Sequence, residues 1–495
     1  MALPGITSTI LDGGLGVTSP ATLIAHVVGV CESGTANVPV LIANQRQLKE
    51  AFGTHGPLID CVGYILDNAG GPVVATKTGA SVAATYDGGT TDAMVASVGG
   101  GADNEINLAV ATSAPKNSFD LKVTITTGGA RAATKFTYSL DGGITTSPIL
   151  SAAASVALGD SGVTLEFEAG STAAYVAGAV YTSTTQAAHY NSSDLTTAFA
   201  GIDVSLLNWD FFVFAGEAQS SAAAATLFSA IQTKMNSYVS ADRYFRALMG
   251  CGDDTAANAL TAFASLVGNR VAPVYGAFET TPVFPVVGRA APFLPAVCAA
   301  AMRAQGNVMS TDLAQVSGAE SVGALPGCLA ISVDERTQTS GLNEVKVGTL
   351  RTYANLSGFY LTNVFLKAAA GSDFEFWQHG IMMDQACREV SARHTELISS
   401  NIVTKADGTG QIAEFSAQSI EKKVRRGLDN RIGSALRGIG PTTVDGSVGH
   451  VSDQRYQVDR TNNVLSTKTL IATVSIVPRG YLKTLSTTLS YKLAV

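Results

Sequence analysis

Apolar and polar positions separate at helical spacing most clearly near the end of the chain. In Ser416–Arg437, Ile420, Val424, Leu428, Ile432 and Ala435 fall on one side of a helical wheel. Lys422, Lys423, Arg425, Arg426 and Arg437 fall on the other, which predicts an amphipathic helix with Ser416 as N-cap and Gly438 as stop. A second amphipathic helix is predicted over Phe376–Ile398, with His394 on the apolar stripe of Met383, Cys387, Val390 and Leu397. Strict alternation then takes over. In Thr469–Val477, Leu470, Ala472, Val474 and Ile476 share one side, and in Leu485–Leu493 so do Leu485, Leu489, Tyr491 and Leu493. Ile6–Leu11 is a shorter β-prone piece before the turn Asp12-Gly13-Gly14.

Earlier in the chain short apolar runs alternate with helical patterns. The predicted order is a strand at Ala25–Cys31, a helix Gln45–Phe52 capped by Asn44, a helix Leu58–Leu66 and a strand Val73–Thr76. The same rhythm resumes with a strand Trp209–Ala215, a helix Ala222–Tyr238, a strand Tyr244–Gly250, a helix Ala256–Val267, a strand Arg270–Tyr275 and a helix Ala296–Arg303. Between the two stretches lies a charge-poor segment rich in Ala, Gly, Ser and Thr. Alternating strands are predicted there at Phe119–Thr126, around Phe136, Tyr138 and Leu140, at Val163–Ala169 and at Ala177–Thr182, punctuated by glycine turns. The expected fold class is therefore α/β and α+β multidomain. Residues 23–79 and 190–340 form a split α/β domain, and 80–189 an inserted all-β domain, sandwich- or barrel-like, at the surface. Residues 345–465 form a C-terminal α+β core. Residues 1–22 are an arm and 466–495 closing strands, so the terminal arms are extended.

Composition narrows the class. Of 495 residues 46% are apolar and 14% charged, with 50 glycines and a net charge of −7. Such a chain is too apolar for disorder and fits one that hides surface in contacts. Against this acidic background, 416–437 carries six Lys/Arg and two Asp/Glu. A local excess of that kind is either a solvated helix face or a face for an acidic partner. It lacks interleaved aromatics and any nucleic-acid motif, so no nucleic acid is expected. No run reaches the length of a membrane span, and MALPGITSTILDGG has neither the basic nor the apolar region of a secretory signal, so cytoplasmic synthesis and no membrane insertion are expected.

Motifs for chemistry are sparse. Gly159-Asp160-Ser161-Gly162 is like a serine-protease nucleophile segment, but Val163 follows it and a turn is expected. Gly14–Ser19 lacks the third glycine of a dinucleotide loop, and no Gly-Lys-Ser/Thr occurs. The six histidines are isolated. The six cysteines (Cys31, Cys61, Cys251, Cys298, Cys328 and Cys387) have no metal-ligand spacing and read as free thiols, disulfides remaining open. Asp373 and Glu375 near Trp377 are a carboxylate pair without partners that would complete a site. No catalytic residue, cofactor or metal is expected.

Ala25–Gly79 resembles the contractile tail sheath proteins of phages. The resemblance rests on the strand Val27–Val30, Gly34, the apolar run Val40–Ile42, the helix ending Phe52-Gly53, Asn68 with Gly70-Gly71, and Val73-Val74. Arg351-Thr352-Tyr353, the Trp377 helix, the basic helix and the closing strands follow in a similar order. The resemblance implies a structural subunit, not an enzyme. It would polymerise with itself as stacked hexameric rings around a tail tube protein, with baseplate and tail terminator proteins as further partners. It would reside in the virion tail after assembly in the host cytoplasm, and contraction would drive the tube through the host envelope. It further implies that Lys422, Lys423, Arg425, Arg426 and Arg437 face the tube. Ile6, Thr7, Ser8, Thr9 and Ile10, with Leu485, Leu489, Tyr491 and Leu493, would form strands between subunits. Alternatives are another virion or injection-system protein (tube, fibre or non-phage sheath) or an α/β enzyme with a β accessory domain.

Overall fold

A computed structural model describes residues 23–86, 94–98, 105–109, 114–168, 174–216, 220–252, 254–316, 323–398, 400–432 and 454–476. The arm positions Ile6–Ile10 and Leu485–Leu493, the Gly14–Ser19 run, and Ala435, Arg437 and Gly438 lie outside the described residues.

The first apolar run forms β1, Ala25–Gly29. It is followed by β2 (Pro39–Ile42), α1 (Gln45–Phe52), α2 (Pro57–Asn68) and β3 (Val73–Lys77). Asn44 caps α1 as its sequence predicts, its side chain accepting from Gln47 N at 3.0 Å. The chain then leaves this layer and returns in α3, Ser192–Asp203, whose capping box is Asn191 with Asp194. A strand Phe211–Phe214 and the long helix α4, Ser221–Ser240, come next. With Ala247–Gly250 and Val271–Val274, the strands make one six-stranded sheet in which β1 is flanked by β3 and by Phe211–Phe214. Every pairing in it is parallel except β2 on β3. Its inner strands are buried along their whole length (AHVVG, FFVF, ALMG) because both faces are covered. Val27, Ala75, Phe211 and Val213 pack with α2 and the Ala296–Gly306 helix. On the other face Val28, Val74, Phe212 and Phe214 pack with α3 and α4.

Between β3 and α3 the pairing is antiparallel. Phe119–Thr127 is flanked by Val180–Gln186 and Lys135–Ser139, and the alternating residues Phe119, Leu121, Val123 and Ile125 are all buried in a cluster of their own. A three-stranded sheet of Ile106–Leu108, Thr164–Phe167 and Ser155–Ala157 contributes Leu165 and Phe167 to the same cluster. Asp60 on α2 fastens this part to the parallel sheet. Its Oδ2 accepts from Asn117 Nδ2 at 2.8 Å and from Arg289 Nη2 at 3.0 Å.

The C-terminal part sets the helices Trp377–Thr395 and Glu414–Ile432 against one another and against a two-stranded sheet of Gln454–Val458 and Ala472–Ile476. Several boundaries differ from those predicted. The basic helix starts two residues before Ser416, which sits inside its first turn rather than capping it. The helix at Ala256 stops at Phe263, because Gly268 N turns to donate to Lys367 O at 2.8 Å and the chain straightens there. The strand at Ala177 begins at Val180 and runs on to Gln186. Gln454–Val458 was not anticipated, since its central Arg-Tyr-Gln carries little apolar signal.

Candidate interaction surfaces of the C-terminal helix pair

The basic helix separates its faces as its pattern requires. Ala417, Ile420, Val424, Leu428 and Ile432 are buried, and Gly427 lies at the crossing with the Trp377 helix. A Cβ on Gly427 would meet the Glu389 carboxylate and Arg393, so the crossing is close. Glu421 is also buried, held by Arg460 Nη1 at 2.6 Å and Val458 N at 2.9 Å. Those bonds tie the helix to the Gln454–Val458 strand and hold the Glu421 carboxyl below its usual range, the Arg460 hydrogen bond outweighing the burial that opposes it.

The cations of this helix divide into two sets. Lys423 reaches back to Glu396 at 2.7 Å. Arg425 is half-buried and donates to the Tyr456 carbonyl at 2.9 Å. Arg431 donates to Gln385 Oε1 at 2.7 Å and to Asp210 Oδ1 at 3.2 Å. Arg425 and Arg431 hold the helix in place, whereas the Lys423 pair is exposed to solvent. Lys422 and Arg426, by contrast, are exposed and meet no acid among the described residues. Phe415, 77% exposed, lies on their stripe seven and eleven positions earlier. The sequence pattern sets five basic residues on one outer face, and among the described residues Lys422 and Arg426 stay there without an acidic partner.

Beneath the pair runs a buried ionic seam along the entry ends of the parallel strands. Asp384 lies 3.0 Å from Arg246 Nε and 2.5 Å from Arg270 Nη1. One turn on, Arg388 donates to Asp210 Oδ1 at 2.8 Å, to Trp209 O at 3.0 Å and to Tyr244 O at 2.9 Å. Burial pushes Arg246 down to about 10 and lowers Arg388 as well, each opposed by its aspartate. Sequence reading missed this seam. Its only trace is the spacing of Asp384 and Arg388, two charges at i and i+4 on a mostly apolar helix face.

Beside this seam another side of the Trp377 helix is open. Met383, Ala386, Cys387, Val390, His394 and Ile398 line a groove of about 480 Å³, closed by Tyr244 on one side and Val474 on the other. His394 is packed rather than ligating. Its Nε2 lies 2.6 Å from Tyr456 Oη, and burial lowers its pKa. Val474 belongs to Ala472–Ile476, which pairs along one side only among the described residues. An unpaired strand edge thus borders an uncovered apolar stripe.

The remaining candidates are structural. Ser161 is fully buried and donates its hydroxyl to Leu158 O at 2.7 Å, so the Gly159–Gly162 segment is a turn. Glu375 pairs with Lys346 at 3.2 Å and does not meet Asp373 in a common site. All six cysteines are free. Among the described residues no three His, Cys, Asp or Glu side chains gather as a metal site, and no helix is long and apolar enough to cross a membrane.

The sequence model for the N-terminal domain of DUF2586 matches residues 3–365, more than half of the chain. The chain belongs to the DUF2586 family. No curated protein matches this DUF2586 chain in sequence. In structure it is similar to a chain of the six-fold symmetrised anti-feeding prophage baseplate, at 11% identity and a TM-score of 0.53, with 100% of both chains covered. It is also similar to the contracted helical sheath of the anti-feeding prophage, at 12% identity, a TM-score of 0.52 and 99% of both chains. The contracted sheath complex of PVC, an extracellular contractile injection system, follows at 11% identity and a TM-score of 0.51, covering 99% of this chain and 98% of that one. At such identities the likeness concerns the fold, and the fold is that of contractile sheath proteins. The resemblance read from Ala25–Gly79 extends over the whole DUF2586 chain.

Proposed function

We propose that this chain is a structural, non-catalytic subunit of a contractile sheath. It polymerises as stacked hexameric rings around a tube and contracts to drive that tube through a host envelope. The observation that carries the reading is the near-complete overlap in fold with contracted sheath chains, 99% of both in one case. In this reading 23–79 and 190–340 form a split α/β domain and 80–189 an inserted surface β domain, supported by the separate hydrophobic cluster around Phe119–Ile125. Residues 345–465 form the core that carries the contacts. Baseplate and terminator proteins bound the sheath, which sits in the tail of a phage-like particle assembled in the host cytoplasm.

Two surfaces serve the assembly. Lys422 and Arg426, with Lys423 and Arg425 behind them, face the acidic surface of a tube protein. The groove over Met383, Cys387, Val390 and Ile398 receives a terminal arm of a neighbour, residues 1–12 or 485–495. That arm adds to the open edge of Ala472–Ile476 and supplies the backbone hydrogen bonds the edge lacks.

Electron microscopy of the purified protein across a concentration series, with and without tube protein, tests the reading. Hollow striated tubes, alone or templated, are the expected result. Monomer under both conditions refutes it. Deleting 1–12 or 485–495 is expected to leave folded monomer that no longer polymerises, and to leave Cys387 open to a thiol reagent that assembly otherwise blocks. Normal tubes from both deletions would rule out the arms.

A further inference from the structure

The antiparallel strands around Phe119 meet the parallel sheet through charge rather than through a shared apolar core. Among the described residues their cluster, which holds Phe119, Phe136, Leu165 and Tyr181, has no member in common with the two clusters of the parallel layer. A cavity of about 480 Å³ lies at the junction, lined by Pro57 and Asp60 from one side and by Asn117, Phe119 and Asp141 from the other. Beside it Lys116 Nζ reaches Glu32 Oε2 at 3.0 Å, and Asp60 holds Asn117 and Arg289. Arg289 goes with the antiparallel strands. Leu140 N donates to Gly288 O at 2.7 Å and Ala290 N to Asp141 Oδ2 at 3.0 Å, and the guanidinium lies 5.5 Å from the centre of the Phe119 ring. Three donors from that side therefore rest on two acids of the parallel layer, Glu32 and Asp60.

His55 joins the same network. It lies just before α2 and is 3% exposed, with Nδ1 2.8 Å from the Thr54 hydroxyl and 3.3 Å from Glu32 Oε2. Its Nε2 is buried without a partner among the described residues. The charged groups that face it are Glu32 from the loop after β1, Lys116 from the antiparallel side, Arg289 from the loop bound to that side, and Asp60 from the first turn of α2. Burial lowers its pKa. Glu32 opposes this, and Lys116 and Arg289 add to it. The N-terminus of α2, which begins at Pro57, also disfavours a positive charge there.

The neutral ring thus leaves Glu32 Oε2 to Lys116. A protonated ring competes with Lys116 for that one oxygen and sets a third cation beside Lys116 and Arg289. Opening the joint returns His55 to water and to its ordinary pKa of about 6.5, so the open arrangement binds more protons than the closed one. The closed joint is favoured in full above that pH and loses the advantage as pH falls. We propose that His55 is a proton-operated latch, whose protonation releases the antiparallel strands from the parallel sheet at the Glu32–Lys116 and Asp60–Arg289 contacts. The latch lies away from the basic helix and the groove, so it stands independently of the assembly reading.

Hydrogen exchange of the full chain, kept below its assembly concentration and corrected for the intrinsic effect of pH on exchange, tests this. As pH falls from about 7 to about 4.5, peptides covering 54–60 and 114–120 are expected to lose protection several-fold, while one covering 211–214 keeps its own. His55→Gln, which cannot take the charge, is expected to keep the joint protected at the acid end. Should that variant fail to fold, Lys116→Met removes the rival for Glu32. It is expected to loosen the same peptides at neutral pH and to show a smaller acid response than the wild type. Unchanged wild-type protection over this range overturns the proposal. So does an equal acid response in His55→Gln, which would assign the step to another group, or an undiminished one in Lys116→Met.

Discussion

The six-stranded sheet and the two-stranded sheet of this chain solve the problem of strand burial in opposite ways. In the larger sheet no inner strand alternates. AHVVG and FFVF are apolar on both faces because α2 and the Ala296–Gly306 helix cover one side and α3 and α4 the other. The smaller sheet is made of QRYQV and ATVSI, which alternate, and in the second of these every apolar residue is only half-buried. A lone pair of strands is marginal in water, and this one leans on the basic helix through Glu421, Arg425 and Arg460. One region closes on itself. The other has, among the described residues, an open edge beside an apolar groove, the form expected of a part completed by another chain. The two parts share one apolar cluster, in which Phe211 meets Trp377, and the ionic seam of Asp384, Arg388 and Asp210 adds charged links between them.

Breaking that seam gives the largest effect. Asp384 is 1% exposed between Arg246 and Arg270, so Asp384→Leu leaves two guanidinium groups without their anion. A loss of about 3–5 kcal/mol is expected, read as a lower urea midpoint, and fluorescence of Trp377 is expected to change before that of Trp209. If the two tryptophans report one unchanged transition, the seam does not join the regions.

Acid probes the closed region alone. His26 is fully buried in β1 beside Trp209 and Phe212, its Nε2 2.7 Å from the Thr76 hydroxyl, with no acid facing it among the described residues. Burial pushes its pKa from 6.5 down to about 3. The unfolded chain therefore binds the proton that the fold refuses. Stability from this group is complete above pH 6.5 and is lost as pH falls toward 3, by up to about 1.4 kcal/mol per pH unit. His26→Phe with Thr76→Val is expected to flatten this limb in urea titrations between pH 6.5 and 4. A smaller effect at the same sheet is expected from Asn44→Ala, about 1 kcal/mol for the lost cap of α1.

The same contrast explains what was legible in the sequence. Apolar runs such as Phe211–Phe214 and clean alternation such as Phe119–Ile125 predict their own burial, so the sheets and most helices were readable. Gln454–Val458 was not, since its burial is supplied by a helix some thirty residues earlier. The seam escaped because its partners Asp210, Arg246 and Asp384 are far apart in sequence and only the fold brings them together. The basic face was legible as composition, but which of its cations are spent internally depends on Glu396 and the Tyr456 carbonyl, and no spacing reveals that.

That division of the basic face yields the prediction with the least effect on stability and the sharpest effect on assembly. Lys422 and Arg426 meet no acid among the described residues, so Lys422→Glu with Arg426→Glu is expected to leave the urea midpoint within error. Lys423→Ala loses only its pair with Glu396, in which both side chains are more than 40% exposed and screened by solvent, and its midpoint too is expected to stay within error. The two variants part company once tube protein is added. If the outer cations meet an acidic surface, the double reversal places like charges against it and stops templated assembly at physiological salt, whereas Lys423→Ala assembles normally. Higher salt is expected to weaken wild-type assembly over the same range, since exposed charges are screened within about 8 Å at 0.15 M. Equal assembly by both variants would place the tube contact elsewhere and leave Lys422 and Arg426 as a solvated face.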